Sequence, residues 1–147
     1  MIKSPCIIGK NCEIRKGAYI RGNVIIGDNV IIGNSCEIKN SIIMNSCEIP
    51  HFNYVGDSIL GSKTHISGGA VISNFRLDGK PINVSTLENN VINTGMCKFG
   101  AIIGDRAQIG CNVVLNPGSL IGRDSWIYPN VSFRGFLESN KILKLKQ

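Results

Sequence analysis

Large aliphatic residues recur at every sixth position, at Ile8, Ile14, Ile20, Ile26, Ile32 and Ile38. After a five-residue step come Ile43, Ile49 and Val55, and after another come Leu60, Ile66 and Ile72. A second block runs Ile103, Ile109, Leu115, Ile121, Ile127 and Phe133. Four positions beyond most of these stands a small or β-branched residue: Cys12, Ala18, Val24, Val30, Cys36, Cys47, Thr64 and Ala70, then Ala107, Val113, Ser119, Ser125 and Val131. Six residues are too few for a helix and enough for one short strand and a turn. The large side chain points into an interior, the small one fits near a corner, and Gly, Asn and Asp tolerate the turn dihedrals. Stacked units share one continuous core, and a period of six predicts a parallel β-helix. Eighteen units at three per coil predict six coils. A sandwich would alternate with period two and a helical fold would repeat near 3.6, and neither period is present.

The expected fold is therefore all-β, a β-helix over residues 1–133, with a loop at about 74–99 that breaks the period and a tail at 134–147. A loop this long in a solenoid is functional or disordered. The tail RGFLESNKILKLKQ leaves cap, short helix and exchanged strand all open.

Composition narrows the function classes. The chain has 147 residues, 43% hydrophobic and 18% charged, which suits one folded domain. No apolar run approaches the ~18 residues of a membrane span, and the start MIKSPCIIGKNCE lacks a signal peptide's apolar stretch. A cytoplasmic location with no membrane partner is expected. The formal net charge is +6, but the lysines cluster only in the tail and no aromatic platform accompanies them, so no nucleic-acid partner is expected. The six cysteines have no CxxC spacing and mostly fall on the small-residue position, which points to buried thiols rather than zinc or disulfides.

Several residues interrupt the pattern with chemistry. Arg21 and Lys39 are 18 apart, one coil, so they should stack about 4.8 Å apart. Two such cations either share an anion, a phosphate or diphosphate, or are simply solvated. Lys80 in the loop is a third cation open to both readings. His51, in IPHFNYVGD, offers an imidazole, whose ordinary pKa near 6.5 provides a neutral base at pH 7. Two histidines cannot form a three-His zinc site within one chain, so no metal is expected.

With these residues in place, the sequence resembles the left-handed β-helix of hexapeptide acyltransferases. It is closest to the C-terminal acetyltransferase domain of bifunctional UDP-N-acetylglucosamine pyrophosphorylase/glucosamine-1-phosphate acetyltransferases and to archaeal sugar-1-phosphate nucleotidylyltransferases. The segment EIKNSIIMNSCEIPHFNYVGDSILGSKTHISGGAVISNFRLDG carries the resemblance, with Arg21, Lys39, His51, Tyr54 and Asn74 in order at the family's spacing. The resemblance implies N-acetylation of an amino-sugar phosphate by acetyl-CoA in a homotrimer. By position, His51 matches the general base, Tyr54 a sugar contact, Arg21 and Lys39 the phosphate-binding cations, and Lys80 a loop lysine of the archaeal relatives. Asn74 and Phe75 match a pair near sugar and acetyl-CoA, and Gly68, Cys111 and Pro129 fall where the family touches acetyl-CoA. His65 stands where the bacterial enzymes have a sugar-binding asparagine, Phe75 lacks a tyrosine hydroxyl, and Asn83 replaces a second loop lysine. The family's nucleotidylyltransferase domain is not among these residues, so nucleotidyl transfer is not expected of this chain. That leaves a rival reading, a non-catalytic β-helix serving a separate nucleotidylyltransferase, and a second, an acyltransferase for a nucleotide-linked amino sugar.

Overall fold

In the computed structural model, which describes residues 1–88 and 90–145, the chain winds as a three-sided parallel β-helix. Each side is one parallel sheet of strands two to four residues long. The first sheet stacks seven strands, from Cys6–Ile8 to Phe136–Leu137. The second stacks seven, from Glu13–Ile14 to Ile142–Leu143, and the third stacks six, from Tyr19–Ile20 to Ser132–Phe133. Two sides thus carry seven rungs, not six. The difference arises at the tail, where Leu120↔Phe136 and Trp126↔Ile142 are paired in register. The tail follows the parallel winding, and the boundary at residue 133 is not a boundary of the sheets.

The interior consists of the columns read from the sequence. Ile20, Ile26, Ile32, Ile38, Ile43 and Ile49 are all at most 1% exposed, and the second block is buried likewise except at its end, Phe133. A single coil encloses almost nothing, so stability comes from each rung covering the next. The five-residue steps are absorbed as coils of 17: Ile26 pairs with Ile43, and Ile42 with Ile59. Every buried side-chain nitrogen and oxygen among the described residues has a hydrogen-bond partner.

Corners are turned by residues with positive φ, mostly Asn, Asp and Ser, such as Asn29 at 57° and Ser46 at 59°. Their short polar side chains tolerate the left-handed region better than bulky ones do. Phe52, at φ 52°, is the bulky exception, and it directly follows His51.

The break at 74–99 is an extruded segment containing an antiparallel pair, Asn83–Ser85 with Val91–Asn93. It is anchored at its root. Ile82 is 1% exposed, and an added Cβ at Gly118 would lie 2.5 Å from the Asn83 carbonyl oxygen. The first sheet turns Ile7, Ile25, Ile42 and Ile102 outward, forming an apolar groove closed on one side by Met96 and Phe99 of this segment.

Candidate functional site

His51 ends the strand Glu48–His51 at the edge where the second sheet meets the third. Backbone hydrogen bonds carry that edge upward. Gly69 N–H donates to the His51 carbonyl (3.0 Å), Asn112 N–H to Gly68 (3.1 Å) and Asn130 N–H to Cys111 (2.9 Å). His51, Gly68, Cys111 and Pro129 therefore follow one another along a single edge at about 4.8 Å per rung. Beside it lies a groove of about 440 Å³, bordered by Arg15, Glu48, His51, His65, Gly68 and Cys111. Gly68 keeps it open: a Cβ there would meet only His51, at 3.6 Å from its Cβ.

Asn53 and Phe52 hold the imidazole's backbone in place. Asn53, 2% exposed, sits at the interior position where other coils put Cys, Ala or Val. Its amide oxygen accepts the His51 N–H (3.2 Å) and its amide nitrogen donates to the Ser67 carbonyl (2.6 Å), tying two rungs at the histidine. This polar break in a small-residue column was available as a sequence signal. His65 Nδ1 lies 3.0 Å from Glu48 Oε2, so the second histidine faces the same groove with a carboxylate beside it.

Round the corner, the third sheet presents the cations. The register Tyr19↔Glu37 and Ile20↔Ile38 sets Arg21 next to Lys39, as the spacing predicts. Neither is a free cation. Arg21 Nη1 donates to Glu37 Oε1 at 2.8 Å, and Lys39 Nζ lies 3.1 Å from Asp57 Oδ2. Glu37 points out on the same side of its strand as Lys39, two residues on, and the 17-residue coil brings Asp57 to the corner beside Lys39. The hydrogen bond from Glu37, with its charge, raises the Arg21 pKa against the cost of desolvation. At Asp57, burial pushes the carboxyl upward. Hydrogen bonds from Asn74, Asn40 and Lys39, with the Lys39 charge, outweigh it and hold the group below its ordinary value.

Tyr54 and Asn74 meet over Gly56. A Cβ on Gly56 would lie 2.5 Å from the Tyr54 hydroxyl and 2.7 Å from Asn74 Nδ2, so only glycine fits. The strand Tyr54–Gly56 spans the face between the His51 edge and the Lys39–Asp57 corner, about 10 Å at 3.3 Å per residue. Phe75 is instead turned toward a hollow shared with Asn116 and Arg134. Lys80 stands out on the extruded segment, its N–H on Asp78 Oδ1 (3.3 Å), and borders neither the groove nor this hollow.

Residues 2–95 match the family model described as GMPPB C-terminal domain. The chain is 38% identical over 113 residues to the bifunctional protein GlmU of Methanococcus aeolicus, covering 77% of this chain and 27% of that protein. It is 40% identical over 95 residues to the bifunctional sugar-1-phosphate nucleotidylyltransferase/acetyltransferase of Sulfurisphaera tokodaii, covering 65% and 23%. It spans about a quarter of the length of these curated relatives. In fold it resembles AntD, an N-acyltransferase from Bacillus cereus in complex with dTDP-4-amino-4,6-dideoxyglucose and coenzyme A. The TM-score is 0.73 at 20% identity, over 92% of this chain and 76% of that one. It also resembles PerB from Caulobacter crescentus in complex with CoA and GDP-perosamine, with a TM-score of 0.62 at 18% identity, over 94% and 52%.

Proposed function

The chain belongs to the GMPPB C-terminal domain family, and from that premise we propose that it transfers the acetyl group of acetyl-CoA to the amine of an amino-sugar phosphate. The acceptor is of the glucosamine-1-phosphate or galactosamine-1-phosphate type. The observation that carries the reading is the junction of two surfaces at His51. One is the open edge His51–Gly68–Cys111–Pro129, and the other is the face holding Tyr54, Asn74, Lys39 and Arg21.

An acceptor lying across the third sheet has its phosphate end toward Arg21 and Lys39 and its amine toward His51, with Tyr54 and Asn74 between. The pantetheine arm of acetyl-CoA runs along the edge past Gly68 and Cys111. His51 takes a proton as the amine nitrogen bonds to the thioester carbon. The carbon–sulfur bond then breaks, and the departing thiolate accepts a proton to leave as CoA. His65, paired with Glu48, borders the acceptor side. Phe75 reaches the acetyl-CoA and Lys80 the phosphate once the extruded segment closes over bound substrates. Holding both reactants on rigid coils supplies proximity without loop ordering. The helix winds left-handed and assembles as a homotrimer in the cytoplasm. It requires no metal for the transfer, and a separate nucleotidylyltransferase is a candidate partner.

The test is thiol release from acetyl-CoA by the purified chain with glucosamine 1-phosphate, galactosamine 1-phosphate or a nucleotide-linked amino sugar. Turnover with the sugar phosphates supports the reading. Turnover only with the nucleotide-linked sugar moves the acceptor class toward what AntD and PerB hold. No turnover with any of them favours a non-catalytic scaffold.

Gly68→Val separates the edge from the fold. Its Cβ enters ordinary contact distance of His51, so melting should shift by less than about 3 °C, within ~1 kcal/mol. Its branched methyls fill the groove, and KM for acetyl-CoA should rise about tenfold or more, the cost of ~1.4 kcal/mol of binding. An unchanged KM for acetyl-CoA would remove the cofactor from this edge.

A further inference from the structure

Asp57 is the most enclosed carboxylate of the acceptor face, its side chain 7% exposed. It stands at the corner where the third sheet turns into the first, at φ 50°. Its two oxygens accept from three side chains: Oδ1 from Asn40 Nδ2 at 2.7 Å, and Oδ2 from both Lys39 Nζ at 3.1 Å and Asn74 Nδ2. Its backbone is engaged as fully. Asp57 N–H donates to the Lys39 carbonyl at 3.1 Å, and the Asp57 carbonyl accepts from Gly100 N–H at 2.8 Å.

Asn74 and Gly100 are the two roots of the extruded segment. They are also joined to each other, since Phe99 N–H donates to the Asn74 carbonyl at 3.0 Å. Gly100 is glycine for a steric reason: a Cβ there would lie 2.0 Å from Ser58 Oγ and 2.2 Å from the Gly56 carbonyl oxygen. One residue therefore touches the ammonium of Lys39 and both ends of the segment that bears Phe75 and Lys80.

The two carboxylates on the cations differ in freedom. Glu37, 37% exposed, can swing into solvent and release Arg21 to an incoming anion. Asp57 cannot, because leaving would strip a buried amide of its acceptor. Lys39 must meet an anion while still held, using its remaining N–H donors.

We propose that Asp57 is a positioning residue that couples the anion end of the site to the extruded segment, by holding Lys39 and Asn74 on one carboxylate oxygen. The proposal rests on the reading that Lys39 and Asn74 face the acceptor. An anion drawing on Lys39 pulls on the same oxygen that holds Asn74, and so the roots at Phe99 and Gly100 tighten when the phosphate end is filled.

The closing experiment has two arms. In wild-type protein, saturating glucosamine 1-phosphate should slow hydrogen exchange at the Phe99 and Gly100 amides, and Lys39→Met should abolish that protection. In kinetics, Asp57→Asn keeps the shape and removes the charge. It should raise KM for glucosamine 1-phosphate about 10- to 100-fold, the range for one charge-assisted hydrogen bond, and leave KM for acetyl-CoA within about twofold. Added to Lys39→Met, the same change should cost far less than it does alone, since the group it positions is already gone. If wild type acetylates the sugar phosphate and binding leaves Phe99 and Gly100 unprotected, the coupling is wrong and the acyltransferase reading stands. The coupling is equally wrong if Asp57→Asn shifts both KM values alike. Should Asp57→Asn not fold, the exchange arm on wild type and Lys39→Met decides alone. If calorimetry detects no binding of glucosamine 1-phosphate to wild type and there is no turnover, the functional reading fails and the coupling fails with it.

Discussion

His51→Ala should lose at least ~100-fold in kcat with glucosamine 1-phosphate, the lower bound for removing a general base, while melting close to wild type. The side chain is exposed at the groove and packs nothing in the core, so truncation opens no cavity. The two bonds that fix this corner use the backbone N–H and carbonyl of residue 51 and survive the substitution. A selective loss is therefore expected, in kcat far more than in either KM. Activity retained within about threefold would show that the amine loses its proton elsewhere and would return His65, beside Glu48, as the alternative base.

The largest stability effect is expected at Gly33. A Cβ built there lies 1.6 Å from the Pro50 carbonyl oxygen, 2.2 Å from its carbon and 2.6 Å from its Cα. All three are backbone atoms of the next rung, so no side chain can move aside. Relief requires parting two coils, and in a solenoid each coil depends on its neighbours. Gly33→Ala should cost at least ~3 kcal/mol, at or beyond the upper end for overpacking, and lower Tm by roughly 6–12 °C in a chain of this size. Calorimetric or circular-dichroism melts check it. Because Pro50 adjoins His51, the variant should also lose activity below its melting point. Gly79→Ala is the comparison: nothing lies within 4 Å of its added Cβ, and only the φ of +67° opposes it. A Gly33→Ala protein melting within about 2 °C of wild type would mean that the coils are not stacked as closely as described.

Much of this molecule was legible in its sequence. Ile20, Ile26 and Ile32 are buried because a large apolar side chain at every sixth position has only one place to go. The shorter coils were legible in the five-residue steps. The tail was not, since Phe136 and Ile142 lie outside the six-residue series yet pair in register with Leu120 and Trp126. The extruded segment was visible as a break, but its strand pair and its packing on Gly118 were not, because they rest on contacts with another coil. At the site, the 18-residue spacing correctly aligned Arg21 with Lys39 and left their partners hidden.

From the sequence alone came the winding, the interior columns and the ordering of His51, Tyr54, Lys39 and Arg21 around it. A repeat reports local demands, burial and turn conformation, that every unit must satisfy for itself. Only the tertiary structure decided that both cations carry carboxylates, that Asn53 holds the His51 backbone, and that Asp57 joins Lys39 to both roots of the extruded segment. These depend on side chains reaching between rungs of unequal length, a relation set by three-dimensional register that no single stretch of the chain contains.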